Sequence, residues 1–256
     1  MQRLSASNVR TTARGSDPGP SRVPSRTGYV AVVEPGTLLA SGRAADVYDQ
    51  GDGTVLRRYR IEHDVADEAR LMRWLADQGY PVPAVQHAVG GDLVMSKIIG
   101  LTMLEDFEQR PWRLVGHARL LARLQSQLNG LRAPEWLESK QSVVPGDSVL
   151  HLDLHPMNVL LSEDGPVVID WTNATRGEGS FDAAMTSVLM STAELNNTRE
   201  KLAAKVVVFV FELFRGRREL RRSIRAAAIY RLSDRNITEL ERTRLQRLVR
   251  RSRGRT

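Results

Sequence analysis

Residues 151–171 read HLDLHPMNVLLSEDGPVVIDW, and this stretch decides the fold of the chain. The apolar residues 159–161 and 167–169 have the length of short strands, and the Glu-Asp-Gly-Pro segment between them is typical of a turn. The stretch therefore predicts a β-hairpin. Such a hairpin would bring Asn158, just before its first strand, close to Asp170, just after its second strand.

Three side chains of this stretch have the chemistry that phosphoryl transfer requires. An attacking hydroxyl needs a carboxylate that orients it and accepts its proton, and the phosphates need Mg²⁺ held by oxygen atoms. Asp153 fits the role of the catalytic carboxylate, and Asn158 and Asp170 fit the roles of metal ligands. The alternative is a loop in which these Asp and Asn residues only form turns.

The pattern His-x-Asp-x-His-x-x-Asn, followed by Ile-Asp-Trp, resembles the aminoglycoside phosphotransferase and choline kinase family. The resemblance implies an α+β, two-lobed, protein-kinase-like fold with a small antiparallel-sheet N-lobe, one N-lobe helix and a mainly helical C-lobe. It also implies ATP or GTP and Mg²⁺ as cofactors, and transfer of the γ-phosphoryl group to a hydroxyl of a small molecule. His151 and His155 are predicted to shape the catalytic loop rather than to bind metal, because Mg²⁺ favours oxygen ligands.

Residues 38–59 predict a nucleotide-binding hairpin. Two strand-like segments flank the small residues Ser41 and Gly42, and a Gly-rich turn leads to a further strand. Small residues let backbone amides approach phosphates, so Ser41 and Gly42 are candidate cofactor-binding residues. The alternative is an ordinary Ser-Gly turn.

Arg57 and Glu68 are the candidates for a phosphate-holding pair. In the family that the chain resembles, a strand Lys holds the α- and β-phosphates, and a Glu on the following helix positions that Lys. The matching positions here are Arg57 and Glu68, the latter on a helix predicted over residues 64–79. Arg keeps the positive charge but is bulkier than Lys and is not interchangeable with it, so we expect an altered nucleotide geometry. The alternative for Glu68 is an exposed helix residue.

Two more regions correspond to the family's site. Residues 92–100 predict the last N-lobe strand and a hinge at which backbone groups bind adenine, with Ser96 and Ile98 as candidates. Asp182 corresponds to the family's Asp at a helix start that supports the catalytic loop, and an N-terminal helix cap is its alternative role. Periodic apolar residues predict further helices over residues 115–131, 183–193, 201–215, 219–232 and 237–251.

The composition excludes several classes of protein. The chain of 256 residues has no cysteine, and thus neither disulfides nor thiolate chemistry. Its longest apolar run, near residues 206–211, is too short to cross a bilayer, and residues 1–28 lack the apolar core of a secretory signal. We expect a cytoplasmic protein without a membrane partner. Its expected parts are a disordered tail (1–28), a nucleotide-binding N-lobe (29–98) and a C-lobe (99–256).

The net charge of +7 is unevenly distributed. Residues 215–256 carry 15 Arg and 4 acidic residues, a net of +11, and residues 1–28 carry a net of +4, which leaves −8 for residues 29–214. Nucleic-acid binding is one interpretation of the basic end, and a solvated helix face is the other. Tyr230 is the only aromatic residue after position 214, so base stacking is not supported and a nucleic-acid partner is not expected.

The sequence leaves the acceptor and the assembly open. A small hydroxylated molecule is the expected partner, and Arg-rich C-terminal helices beside it would disfavour a polycationic aminoglycoside. No feature predicts the oligomeric state. A competing hypothesis is a catalytically weak or inactive kinase-like protein that binds nucleotide or serves as a scaffold. It rests on Arg57, on the sparse glycine loop and on the Arg-rich C-terminal end. The presence of Asp153, Asn158 and Asp170 together favours the enzyme.

Overall fold

The computed structural model describes residues 33–42, 44–61, 64–194 and 198–252. The predicted tail over residues 1–28, and the first four residues of the predicted N-lobe, therefore lie outside the described residues. None of the helices within the described ranges is both long and apolar enough to span a bilayer.

A five-stranded antiparallel sheet with the strand order β1-β2-β3-β5-β4 begins the described chain. One helix, α1 (Ala66–Asp77), connects β3 to β4 along the chain. It buries Ala69, Leu71, Met72 and Leu75. These apolar residues recur at helical spacing, which is why this segment forms an amphipathic helix. The strands are β1 (Thr37–Ser41), β2 (Ala45–Asp49), β3 (Thr54–Tyr59), β4 (Val85–Val89) and β5 (Asp92–Ser96).

The central strand β3 positions two side chains for the site. Its residues alternate between the two faces of the sheet, so Arg57 and Tyr59, two residues apart, share one face. Both reach Glu68 on α1: Arg57 at 3.1 Å and Tyr59 at 2.8 Å. The sheet and its single helix are therefore joined by polar contacts on this face as well as by apolar packing.

The rest of the described chain is mainly helical. Its core includes the fully buried side chains of Leu121, Leu128, Trp171, Phe181 and Phe211. Two short 3₁₀ segments, Pro111–Arg113 and Pro156–Asn158, precede α3 and the catalytic hairpin. The helices are α2 (Met103–Gln109), α3 (Leu114–Gly130), α4 (Gly179–Thr192), α5 (Thr198–Arg215), α6 (Arg217–Leu232) and α7 (Glu239–Ser252).

The predicted hairpin is present as β8 (Val159–Ser162) and β9 (Gly165–Val168), antiparallel, with Val159 opposite Val168. Strand β6 (Leu101–Thr102) pairs with β8, and β7 (Ser148–Leu150) pairs with β10 (Thr175–Gly177). The antiparallel N-lobe with one helix and the helical C-lobe confirm the predicted fold class. The hairpin turn is tighter than predicted, because Gly165 and Pro166 already belong to β9.

Candidate active site

The loop that follows β7 carries Asp153 and is fastened by one buried carboxylate. Asp182, fully buried in α4, accepts hydrogen bonds from the backbone amides of His151 at 3.1 Å and of Leu152 at 2.8 Å. Leu152 has a positive φ of 63°, a left-handed conformation that costs a non-glycine residue about 1 kcal/mol. The Asp182 carboxylate thus fixes the strained residue that directly precedes Asp153.

Asp182 has two more donors, both on α3. The side-chain amides of Gln125 and Asn129 lie 2.5 Å and 2.9 Å from its Oδ2 atom. Helix α4 begins at Gly179 with Glu178 as its N-cap residue, so Asp182 lies one turn inside the helix. The structure thus brings Asp182 to the catalytic loop and leaves the cap position to Glu178.

The two histidines of the motif lie within the loop. His151 is fully buried; its Nδ1 atom accepts a hydrogen bond from the Asp153 amide at 3.2 Å, so Nε2 carries the proton that reaches the Ile169 carbonyl at 3.1 Å. His155 Nδ1 accepts from the Met157 amide at 3.3 Å. Burial, together with the neighbouring His151, lowers the pKa of His155 to about 4, so its ring is neutral at pH 7. Both rings therefore shape the loop backbone.

Asp153 and Asn158 are held together at the start of the hairpin. The Asn158 side-chain amide donates to the Asp153 backbone carbonyl at 2.8 Å. The Oδ1 atom of Asn158 therefore points away from that carbonyl. His155 Nε2 lies 3.6 Å from the Asp153 carboxylate, and the Asp153 side chain keeps 23% of its surface exposed. A partly exposed carboxylate on a fixed backbone can meet an incoming hydroxyl group.

The oxygens of Asn158 and Asp170 suit a magnesium ion. The backbone amide of Ile169 donates to the backbone carbonyl of Asn158 at 3.0 Å across the hairpin. The next residue, Asp170, has a positive φ of 66°. Among the described residues, neither Asn158 Oδ1 nor Asp170 Oδ2 has a hydrogen-bond partner. No group of three or more His, Cys, Asp or Glu in this part of the chain could hold a metal alone. Two protein oxygens completed by nucleotide phosphates are a common mode of Mg²⁺ binding, so the residues fit.

Arg57 joins the N-lobe sheet to Asp170, at the end of the hairpin. Its guanidinium donates to Asp170 at 2.7 Å and to Glu68 at 3.1 Å, and its side chain is 12% exposed. Burial opposes the ionisation of Asp170, but the charge and hydrogen bond of Arg57 outweigh it and hold the pKa of Asp170 below its usual value. The structure therefore brings Arg57, Glu68 and Asp170 into one charged cluster.

The remaining candidates lie along the N-lobe sheet. The Ser41 hydroxyl donates to Asp46 at 2.7 Å, and the Gly42 amide donates to the Ala45 carbonyl at 2.9 Å. Both groups therefore serve the β1–β2 turn in this state. The Ser96 amide is likewise used, since it donates to the Ala84 carbonyl at 2.9 Å, whereas no backbone hydrogen bond involves Ile98 within the described residues. Of the two hinge candidates, only Ile98 keeps its backbone groups available.

Several residues that contribute to the site were not predicted. Tyr59 and Thr172 contact the Arg57 cluster, and Gln125 and Asn129 hold Asp182. For two of them, position in the sequence offers a signal: Thr172 follows Asp170 by two residues, and Tyr59 follows Arg57 by two residues on the same strand face. The α3 pair has no such signal, because Gln125 and Asn129 precede Asp182 by more than 50 residues.

Arg231 in α6 is a C-terminal arginine whose charge interacts with that of Asp153. Burial disfavours its charge, but hydrogen bonds to Glu241 at 2.8 Å and Asp234 at 2.8 Å raise the pKa of Arg231, with a smaller contribution from the charge of Asp153. Its side chain is 17% exposed. One cation against two carboxylates gives this cluster of three residues a net charge of −1.

Solved structures with a similar fold are small-molecule kinases. Aminoglycoside phosphotransferase APH(4)-Ia is 15% identical, with a TM-score of 0.61 and coverage of 83% of this chain and 92% of that one. ADP-bound aminoglycoside phosphotransferase APH(2'')-Ib is 12% identical, with a TM-score of 0.55 and coverage of 86% and 93%. A choline/ethanolamine kinase family protein from Mesorhizobium loti is 18% identical, with a TM-score of 0.52 and coverage of 91% and 90%. The fold is therefore that of the protein-kinase-like phosphotransferases.

A sequence model of a protein family shows to which family the chain belongs. The model of the phosphotransferase enzyme family matches residues 36–142 and 103–221, which together span most of the chain. The protein belongs to this family, as the motif over residues 151–171 predicted, and is by that membership a small-molecule phosphotransferase. No curated protein sequence matches the chain.

Proposed function

We propose that this protein transfers the γ-phosphoryl group of ATP to a hydroxyl group of a small molecule. The observation that carries the proposal is the cluster in which Asp153 and Asn158 begin one hairpin and Asp170 ends it, with Arg57 at 2.7 Å from Asp170. These are the groups that an in-line phosphoryl transfer needs, collected from two lobes. Family membership supports the class of reaction, while the donor and the acceptor group belong to the proposal.

Each side chain has one role in this reaction. Asp153 orients the acceptor hydroxyl and takes its proton, while Asn158 and Asp170 would hold Mg²⁺ on the phosphates. When bound, Mg²⁺ would supply neutralisation of the charge that develops on the transferred group. Arg57, positioned by Glu68, steadies the phosphates. Most of the acceleration comes from positioning and electrostatic stabilisation.

The nucleotide is proposed to enter between the sheet and the hairpin. The backbone of Ile98 is our candidate for binding the adenine, since its groups are available. The small residues Ser41 and Gly42 would approach the phosphates, and Ser41 would then exchange its bond to Asp46 for the ligand. Ser96, the last residue of β5, is not proposed to bind adenine, because its amide donates to the Ala84 carbonyl.

The acceptor is proposed to bind on the side of Asp153 that faces the α6–α7 connection. Arg231, Asp234 and Glu241 meet there, and because Arg231 is paired with both carboxylates, this cluster adds no net positive charge beside the acceptor. A hydroxylated molecule that carries an amino group fits this cluster as well as a neutral one does. The class of acceptor within these limits is open to a screen.

Isothermal titration with ATP and with GTP, each with and without Mg²⁺, tests the proposal. We expect Mg²⁺-dependent binding of one nucleotide by the wild-type protein, lost in Asp170→Ala and kept in Asp164→Ala, which changes an exposed turn. Nucleotide binding that ignores Mg²⁺ and Asp170, or no binding at all, would instead favour the catalytically weak scaffold.

A further inference from the structure

The hydroxyl of Thr172 lies at the centre of a polar cluster. Its Oγ1 atom is 2.9 Å from Asp170 Oδ1 and 2.5 Å from the Tyr59 hydroxyl, and it accepts a hydrogen bond from Arg57 at 3.1 Å. Tyr59 is in turn 2.8 Å from Glu68. Three oxygen–oxygen contacts thus link the carboxylate at the end of the hairpin to the carboxylate of helix α1.

Only two hydroxyl protons are available for these three oxygen–oxygen contacts. Two ionised carboxylates supply no proton, so the hydroxyls of Thr172 and Tyr59 supply two for three contacts. When Thr172 donates to Asp170 and Tyr59 donates to Glu68, each carboxylate has a hydroxyl donor, and the 2.5 Å contact between the two hydroxyl oxygens has no proton. If either hydroxyl turns toward the other, the carboxylate that it leaves loses its hydroxyl donor. The orientations of the two hydroxyl groups are therefore coupled.

Thr172 is held in place by the C-lobe rather than by the cluster itself. Its backbone carbonyl accepts a hydrogen bond from Lys140 Nζ at 3.3 Å. The preceding Trp171 is 1% exposed, and its indole donates to the Val168 carbonyl at 3.0 Å. A hydroxyl on such a fixed backbone can orient the carboxylate two residues before it.

We propose that Thr172 and Tyr59 are positioning residues that orient Asp170 for the metal–nucleotide complex and couple it to Glu68. The proposal rests on the proposed function, since the metal role of Asp170 belongs to it. The Thr172 hydroxyl holds the Asp170 carboxylate through Oδ1, which leaves Oδ2 for a ligand, and Tyr59 connects Thr172 to Glu68 on α1.

Two substitutions at position 172 test the proposal with a matched pair. Thr172→Val removes the hydroxyl and keeps the β-branched shape, while Thr172→Ser keeps the hydroxyl. Isothermal titration of the full chain with ATP in the presence of Mg²⁺ is expected to show about tenfold weaker binding for Thr172→Val, the loss of one hydrogen bond to a charged group, and near-wild-type binding for Thr172→Ser. In a turnover assay with an acceptor, the loss is expected in KM for ATP more than in kcat.

Tyr59→Phe gives the second arm, with Tyr48→Phe as its control. Tyr48 lies on the neighbouring strand β2, and its hydroxyl makes no hydrogen bond to any described residue. In the ligand-free protein, the shifts in unfolding midpoint of Thr172→Val and Tyr59→Phe should be smaller together than their sum, because each breaks the same chain. This arm needs no nucleotide.

The outcomes separate this inference from the proposed function. If the wild-type protein binds ATP with Mg²⁺ and Thr172→Val binds equally well, the positioning role is wrong and the proposed function stands. Additive midpoint shifts would remove the coupling between Thr172 and Tyr59. If the wild-type protein fails to bind any nucleotide, the proposed function fails, and the role of these residues toward a metal–nucleotide complex fails with it.

Discussion

The guanidinium of Arg57 bridges two carboxylates that belong to different lobes, Asp170 at 2.7 Å and Glu68 at 3.1 Å. A planar fork can donate in two directions at once, whereas an ammonium group is a compact point charge. The replacement of the family's strand Lys by Arg57 is thus accompanied by a three-residue bridge between the sheet, α1 and the hairpin. A cation that only steadied phosphates would not require this geometry.

Arg57→Lys is expected to weaken this bridge without removing its charge. One of the two carboxylate contacts is lost, so the free energy of unfolding should fall by about 1–2 kcal/mol in urea denaturation. Binding of ATP with Mg²⁺ should weaken less than in Arg57→Met, because the positive charge near the phosphates remains. Arg58→Lys is the control: Arg58 pairs with Asp92 near the surface, and its replacement should change stability by about 0.5 kcal/mol at most. Tighter nucleotide binding at unchanged stability in Arg57→Lys would contradict the bridging role.

Asp153→Asn is expected to affect turnover and not nucleotide binding. The amide cannot take the proton of the acceptor hydroxyl, and loss of a general base typically lowers kcat by about 10²- to 10⁴-fold. The dissociation constant for ATP should stay unchanged, because the proposed metal ligands are Asn158 and Asp170. Asp164→Asn, in the exposed turn between β8 and β9, should behave as wild type. A variant that keeps wild-type turnover would remove Asp153 from the reaction.

The sequence was sufficient where local patterns determine structure. The hairpin over residues 159–168 follows from two short apolar runs around a turn, and α3 and α6 follow from apolar periodicity. The start of α4 was predicted at residue 183 but lies at Gly179, because a run of small and polar residues gave no periodic signal there. That shift places Asp182 inside the helix.

Contacts between distant residues could not be predicted in this way. The Arg57–Asp170 pair joins residues 113 positions apart, and Thr172 meets Tyr59 across the same separation. Local propensity carries no information about such pairs, since only the packing of the two lobes brings them together. The resemblance indicated which residues belong to the candidate site, but not that Thr172 and Tyr59 connect them.

Asp182→Asn is expected to destabilise the protein and disturb the catalytic loop together. The buried Asp182 carboxylate accepts hydrogen bonds from four donors. Asparagine replaces one of the two carboxylate oxygens with an NH₂ group, which is a donor and would face these donors. We expect the free energy of unfolding to fall by about 3 kcal/mol, measured in urea, with a loss of kcat at low temperature where the variant stays folded. Asp67→Asn, exposed in the first turn of α1, is the matched control. Unchanged kcat in a folded Asp182→Asn would mean that the loop holds its shape without this carboxylate.

His155 gives the protein a pH-dependent stability. Burial lowers its pKa to about 4 in the folded protein, against about 6.5 in an unfolded chain. Between these values the unfolded chain binds a proton that the folded protein does not, so the free energy of unfolding decreases as the pH falls from about 6.5 toward about 4. Well above pH 6.5 the ring is neutral in both states, so the destabilising contribution of His155 is absent there.

His155→Gln should remove this dependence, because glutamine does not titrate. Between pH 7.5 and pH 5.0 the wild-type protein is expected to lose about 2 kcal/mol more stability than the variant, measured by urea unfolding at both values. His151, whose pKa is also lowered by burial, is present in both proteins, so its own protonation contributes to both profiles. The exposed His87 gives the control variant His87→Gln, which should keep the wild-type profile. Equal losses for the wild-type protein and His155→Gln would show that His155 is protonated in the folded state, and its ring would then stand as a cation 3.6 Å from the Asp153 carboxylate.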